Sequence, residues 1–135
     1  LCPGLVPVEL HAVGRVVRDY LALLAPTVGG AGYFGELYKP EAERSAKRLA
    51  ELRAKAQHVA RTLSSVLGDK PYFAEEYSIA DIQLYAATSK SQEGGLFDEP
   101  GENLVRWIDR MTSKPTVQKA RQDYIHYRAA KEAAE

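Results

Sequence analysis

Apolar residues along this chain recur at three- and four-residue steps, and no run alternates apolar and polar positions as a strand would. From Val8 to Ala25, Val13, Val16 or Val17, Tyr20 or Leu21, and Leu24 form one stripe. Glu9, Arg15, Arg18 and Asp19 supply the polar side of that predicted helix. Pro26 ends it, and Thr27 to Gly35 reads as a glycine-rich loop. A long second helix is predicted over Pro40 to Leu67. Proline suits a first helical position because its missing N–H would be unpaired there, and Glu41 and Glu43 would meet the positive end of the dipole. Ala46, Leu49, Ala56, Val59 or Ala60, Leu63, and Val66 or Leu67 carry its stripe to Gly68, a natural left-handed cap. A third helix opens at Ser78 and gives way to a loop over Ser91 to Pro100. A fourth runs from about Gly101 to Thr112 and buries Leu104, Ile108 and Met111. Pro115 starts a fifth that reaches about Ala130, with residues 131–135 expected to fray.

The third helix has the most explicit start. Ser78 is placed to accept a backbone N–H of the first turn, and the Asp81 carboxylate can reach back to the Ser78 N–H. This is a shortened capping box, with Asp where Glu or Gln is usual. Tyr77 before the cap and Ile82 at the fourth helical position are spaced for a hydrophobic staple. A carboxylate at this position argues for structural capping by Asp81 rather than catalysis.

Composition adds mainly exclusions. The chain has 135 residues, 45% hydrophobic and 27% charged, with 18 Lys plus Arg against 18 Asp plus Glu. One domain with a sizeable core is expected. Zero net charge argues against a dedicated nucleic-acid binder, which needs a basic surplus to displace counterions. The Leu1 to Pro7 opening is too short and too interrupted for a signal peptide or membrane span and reads as a linker-like tail entered from something upstream. The helical domain then covers residues 8–130. A single cysteine, Cys2, cannot form an internal disulfide, and a reducing, cytoplasmic setting is expected.

Little catalytic chemistry is visible. His11, His58 and His126 lie on different helices with no spacing that unites them as ligands, so no metal is expected. The basic stretch Arg44 to Lys55 is interleaved with Glu51 and reads as a solvated face. Arg121, Tyr124 and Tyr127 on the last helix either form a partner surface or close the bundle.

The stretch Pro71-Tyr72-Phe73-Ala74-Glu75-Glu76-Tyr77-Ser78-Ile79-Ala80-Asp81-Ile82 resembles the motif that marks the C-terminal domain of glutathione transferases. Glu75 stands where that family commonly has glycine, so the turn is expected to close differently. Leu104 to Met111, followed by Lys114-Pro115-Thr116-Val117, resembles a second family passage, and the first two predicted helices fall in family order. The resemblance implies an all-α, glutathione-transferase C-terminal-type helical bundle of about five helices. It implies a thioredoxin-like domain, upstream or in a partner chain, that activates the thiol of glutathione as co-substrate. It also implies a homodimer, with no role for nucleic acid or membrane.

On this reading the helical half walls the electrophile pocket and supplies no catalytic residue of its own. The polar side of the first helix, with Arg15 and Arg18, would face the cleft; the two arginines either hold a carboxylate or form a solvated face. Tyr20 either lines the pocket or packs in the core. Tyr33 and Phe34 either cover the pocket or close a helix end. The other function this domain type serves is non-catalytic: joining proteins in translation elongation or aminoacyl-tRNA synthetase complexes.

Overall fold

A computed structural model describes residues 14, 15, 17, 18, 20, 22 and 27 and the continuous stretch 32–134. Cys2, His11, the tail over residues 1–7 and most of the predicted first helix lie outside the described residues; those described between 14 and 22 are helical. The helices of the continuous stretch are α1 (Tyr33–Leu37), α2 (Ala46–Leu67), α3 (Ile79–Glu93), α4 (Glu102–Thr112) and α5 (Pro115–Ala134). Among the described residues there is no strand, only an isolated bridge between Ala74 and Glu76. The bundle is all-α, as expected.

The hub is α4, which contacts α2, α3 and α5, while α1 lies on α2. Leu104, Trp107, Ile108 and Met111 recur on one side of α4 and are all buried. They meet Leu52, Ala56, Val59, Ala60, Leu63 and Leu67 from the stripe of α2, and Leu84 and Tyr85 from α3. Phe73, Leu96 and Phe97 fill in from the connections. Burying one such side chain contributes roughly 1.5–3 kcal/mol, which makes this cluster the main source of cohesion. By contrast, α5 has no buried residue.

At the start of α3 the buried Asp81 carboxylate collects four donors. Oδ2 accepts the Ser78 N–H at 3.0 Å and the Ser78 hydroxyl at 3.3 Å. Oδ1 accepts the Phe73 N–H at 3.2 Å and the Trp107 indole N–H at 2.8 Å. The Ser78 hydroxyl in turn accepts the Ala80 N–H at 3.3 Å. Tyr77 packs on Tyr72, with ring centroids 5.6 Å apart, and Ile82 is largely exposed. The preceding turn holds Glu75 at φ 64°, the left-handed region that disfavours side chains.

Several boundaries differ from the sequence-based expectation. The long helix starts at Ala46, not Pro40. Glu41–Glu43 is a separate 3-10 turn, and Ser45 caps α2 by accepting the Arg48 N–H at 3.2 Å. The Ser45 N–H is itself held by Glu36 Oε1 at 2.7 Å. Glu36 is buried, and the Lys39 ammonium at 2.9 Å and the Ser45 N–H hold its carboxyl below the usual glutamate range. The predicted loop over Thr27–Gly35 contains a helical Thr27 and the start of α1. Helix α3 continues to Glu93, with the Ser91 hydroxyl bonded back to Ala87 O at 2.9 Å. Helix α5 remains helical through Ala134 instead of fraying after Ala130; an Arg128–Glu132 pair at 2.7 Å spans that turn.

The start of α4 is capped across the fold. Gly101 at its N-cap offers no side chain, and the buried Ser64 hydroxyl on α2 accepts the Leu104 N–H at 3.3 Å instead. Only glycine fits there: φ is 96°, and a Cβ would overlap the Ser64 side chain.

Two stability measurements check this account. Asp81→Ala leaves the Trp107, Phe73 and Ser78 donors buried without their acceptor, and should lower unfolding free energy in urea by about 3–5 kcal/mol. Glu75→Gly should raise it by about 0.5–1 kcal/mol, because relief of the left-handed strain exceeds the added chain entropy of glycine.

Candidate functional site between helices α3 and α5

Ile82, Tyr85, Ala86, Ser89, Lys90 and Glu93 follow one another on α3 at helical spacing, and so do Val117, Ala120, Arg121, Tyr124 and Ile125 on α5. The two faces oppose each other and leave a groove of about 520 Å³ between them. Its walls are mostly apolar, yet Ile82, Tyr124 and Ile125 remain 52%, 54% and 62% exposed. A helix face with this periodicity is normally covered.

Polar groups meet at Arg121, midway along the α5 wall. Arg121 donates from Nη1 to the Tyr85 hydroxyl at 3.1 Å and pairs through Nη2 with Glu93. Tyr85 lies 3.0 Å from Thr112 Oγ1, and the Thr112 hydroxyl donates to Ile108 O at 2.8 Å. Since the Thr112 proton is already committed, the chain of bonds runs one way: Arg121 to Tyr85, Tyr85 to Thr112, Thr112 to the α4 backbone. The Glu93 carboxylate, then the Tyr85 oxygen, raise the Arg121 pKa. The groove therefore carries a guanidinium fixed by Glu93 and the Tyr85 oxygen among mostly apolar walls, which suits an apolar molecule with a polar group placed to reach Arg121.

The residues singled out from sequence are dispersed. Arg15 and Arg18 are exposed, and Tyr20 packs against the core. Tyr33 is buried in that core, edge-on to Phe34 at 5.7 Å, with its hydroxyl 3.5 Å from Arg53 Nη1. Phe34 lies against the end of α3, where a Cβ on Gly94 would come within 2.7 Å of its ring. Neither aromatic lines the groove: one belongs to the core and the other closes a helix end. From the cap, Ile82 does line it, and from the last helix so do Arg121 and Tyr124. The α3 wall was not legible in sequence, because helical spacing groups Ile82, Tyr85, Ala86, Ser89, Lys90 and Glu93 without showing which helix they oppose. Among the described residues no cluster of His, Cys, Asp and Glu is placed to hold a metal ion, and no helix is long and apolar enough to cross a membrane.

This is the helical-bundle class of domain, with α3 entered through a buried capping carboxylate and an open groove on its flank. Residues 30–115 match the family described as "Glutathione S-transferase, C-terminal domain", and the chain belongs to that family. It is similar to the crystal structure of Gtt2 from Saccharomyces cerevisiae, with a TM-score of 0.51 and 26% sequence identity over 86% of this chain. The match spans 58% of the length of that structure. No curated protein sequence matches significantly. The chain is thus a glutathione transferase-like protein.

Tyr85→Phe tests the polar cluster at Arg121. It keeps the ring against Trp107, 6.3 Å away, and removes one acceptor and one donor. Urea unfolding should show a loss of about 1 kcal/mol.

Proposed function

We propose that this domain is the electrophile-binding half of a glutathione transferase, joined in action to a thioredoxin-like domain that holds and ionises glutathione. The observation that carries this reading is the open apolar groove between α3 and α5 with Arg121 fixed in its wall by Tyr85 and Glu93. In the proposed reaction the glutathione thiolate attacks the electrophilic carbon, a C–S bond forms, and the leaving group departs with the electron pair. The groove contributes by proximity and orientation. Arg121, whose guanidinium the Tyr85 oxygen and Glu93 hold in place, would face the negative charge that develops on the electrophile.

Within this proposal the exposed Arg15 and Arg18 remain candidates for holding the charged ends of glutathione, and a homodimer in the cytoplasm is the expected setting. Tyr20, Tyr33 and Phe34 would support the bundle rather than touch substrate. The alternative reading, a non-catalytic protein-joining module, has no need of a small-molecule groove, and this separates the two.

The test is calorimetric titration of the 135-residue chain with a chlorodinitrobenzene probe. The probe should bind, and Ala120→Trp, which fills the groove from an exposed position, should weaken binding by about tenfold or more without lowering the unfolding midpoint. Equal binding to the Ala120→Trp variant, or no binding by the parent chain, overturns the proposal. Turnover with glutathione by this chain alone would also contradict it, since the thiol-activating groups are assigned to the other domain.

A further inference from the structure

Arg106 and Arg110 on α4, Lys114 at the α4–α5 joint and Lys70 on the preceding connection form a seam of positive charge on residues that do not line the α3–α5 groove. Arg106 donates to Gly68 O at 2.8 Å, Lys70 O at 3.4 Å and Asn103 Oδ1 at 3.2 Å. Arg110 donates to Pro71 O at 2.7 Å, and Lys70 to Phe73 O at 3.3 Å. Further along, the Arg110 guanidinium sits 5.6 Å from the Tyr72 ring centroid. The Lys114 ammonium lies 5.1 Å from Tyr72 and 4.1 Å from Tyr77.

These contacts fix the cations in place without neutralising them. A carbonyl or an aromatic face offers a partial charge, not a counter-ion. None of the four has an ion pair among the described residues, and although Arg44, Lys47, Lys55, Lys90 and Lys131 share that, the four stand together and are held in place by carbonyls and aromatic rings. Arg110 and Lys114 are only partly exposed, so these two charges have lost some water and gained no anion. Among the described residues, only Nη1 of Arg110's donors has a hydrogen-bond partner.

We propose that this seam is the docking site for an acidic segment of a partner protein. Carboxylates one helical turn apart stand about 5–6 Å from each other, which matches the one-turn step from Arg106 to Arg110, and a carboxylate can take a guanidinium through two bonds. The surroundings favour a short acidic segment over a nucleic acid. Glu75 and Glu76 bound the seam beside Tyr77, and Glu99, Glu102 and Asp109 line a groove on the far side of Arg106. A continuous polyanion would run into those carboxylates, and four cations on a neutral chain release few counter-ions.

The experiment uses the full chain and three probes: a short helical peptide with glutamate at every fourth position, its glutamine counterpart, and a single-stranded DNA of equal charge. The glutamate peptide should bind, weakening as salt is raised. The combined variant R106Q/R110Q/K114Q should lose about tenfold or more of that affinity, while R106K/R110K/K114R retains most of it and Lys47→Gln, on α2, retains all of it. An unchanged unfolding midpoint in the glutamine variant separates lost docking from lost folding. Equal binding of the glutamine peptide, tighter binding of the DNA, no binding of the glutamate peptide, or unchanged affinity in the glutamine variant would each overturn the proposal.

Discussion

A buried carboxylate must be surrounded by donors or it does not stay charged and buried, and in this bundle Asp81 is where that constraint is met. Its two oxygens serve the Ser78 cap, the Phe73 backbone and the Trp107 indole together. One side chain thereby fixes where α3 begins, where the preceding turn passes, and how α4 lies against both. The turn has little freedom left, and it holds Glu75 in a left-handed conformation that costs free energy. Phe73 and Tyr85 then pack edge-on to Trp107, at 5.0 and 6.3 Å, and extend the same junction into the apolar core.

The groove depends on this junction at one remove. Helix α3 is positioned by Asp81, and the side it turns toward α5 carries Ile82, the edge of the buried Tyr85, and Glu93. Helix α5 contributes nothing to the buried core. It is tied by Pro115 after α4, by the partial burial of Val117 and by Arg121 reaching Tyr85 and Glu93. An element held by so few buried contacts opens at low cost.

Charge is distributed with a comparable division of labour. Within the described residues, long-range pairs stitch the scaffold. Arg53 grips Asp98 through two bonds, which holds the 94–100 loop on α2 and keeps the Asp98 carboxyl below its usual range. Buried Glu36 anchors the start of α2. Zero net charge thus conceals an uneven surface, on which seven cations are paired with carboxylates and others, the four of the α4 seam among them, have no ion pair among the described residues.

The residues that act locally were legible in the sequence. Helical periodicity, the Ser78–Asp81 cap, Pro115 at a helix start and the departure at Glu75 all act within a few positions, so spacing alone exposes them, and the family motif gave the bundle its type. What sequence could not show were partnerships across long separations. Ser64 caps α4 from 40 positions away, which explains why Gly101 needs no side chain of its own. Trp107 closes the Asp81 site across 26 positions, and Glu36, nine residues before the Ser45 cap whose N–H it holds, helps move the start of α2 from Pro40 to Ala46. The groove belongs to the same class. Its two walls each look like ordinary amphipathic helix faces, and only their packing makes them a site. Sequence by itself determined the all-α type and the four longer helices of the continuous stretch, though not the short α1, because capping and periodicity are short-range. The tertiary structure decided which polar groups meet, because that depends on how α4 brings α2, α3 and α5 together.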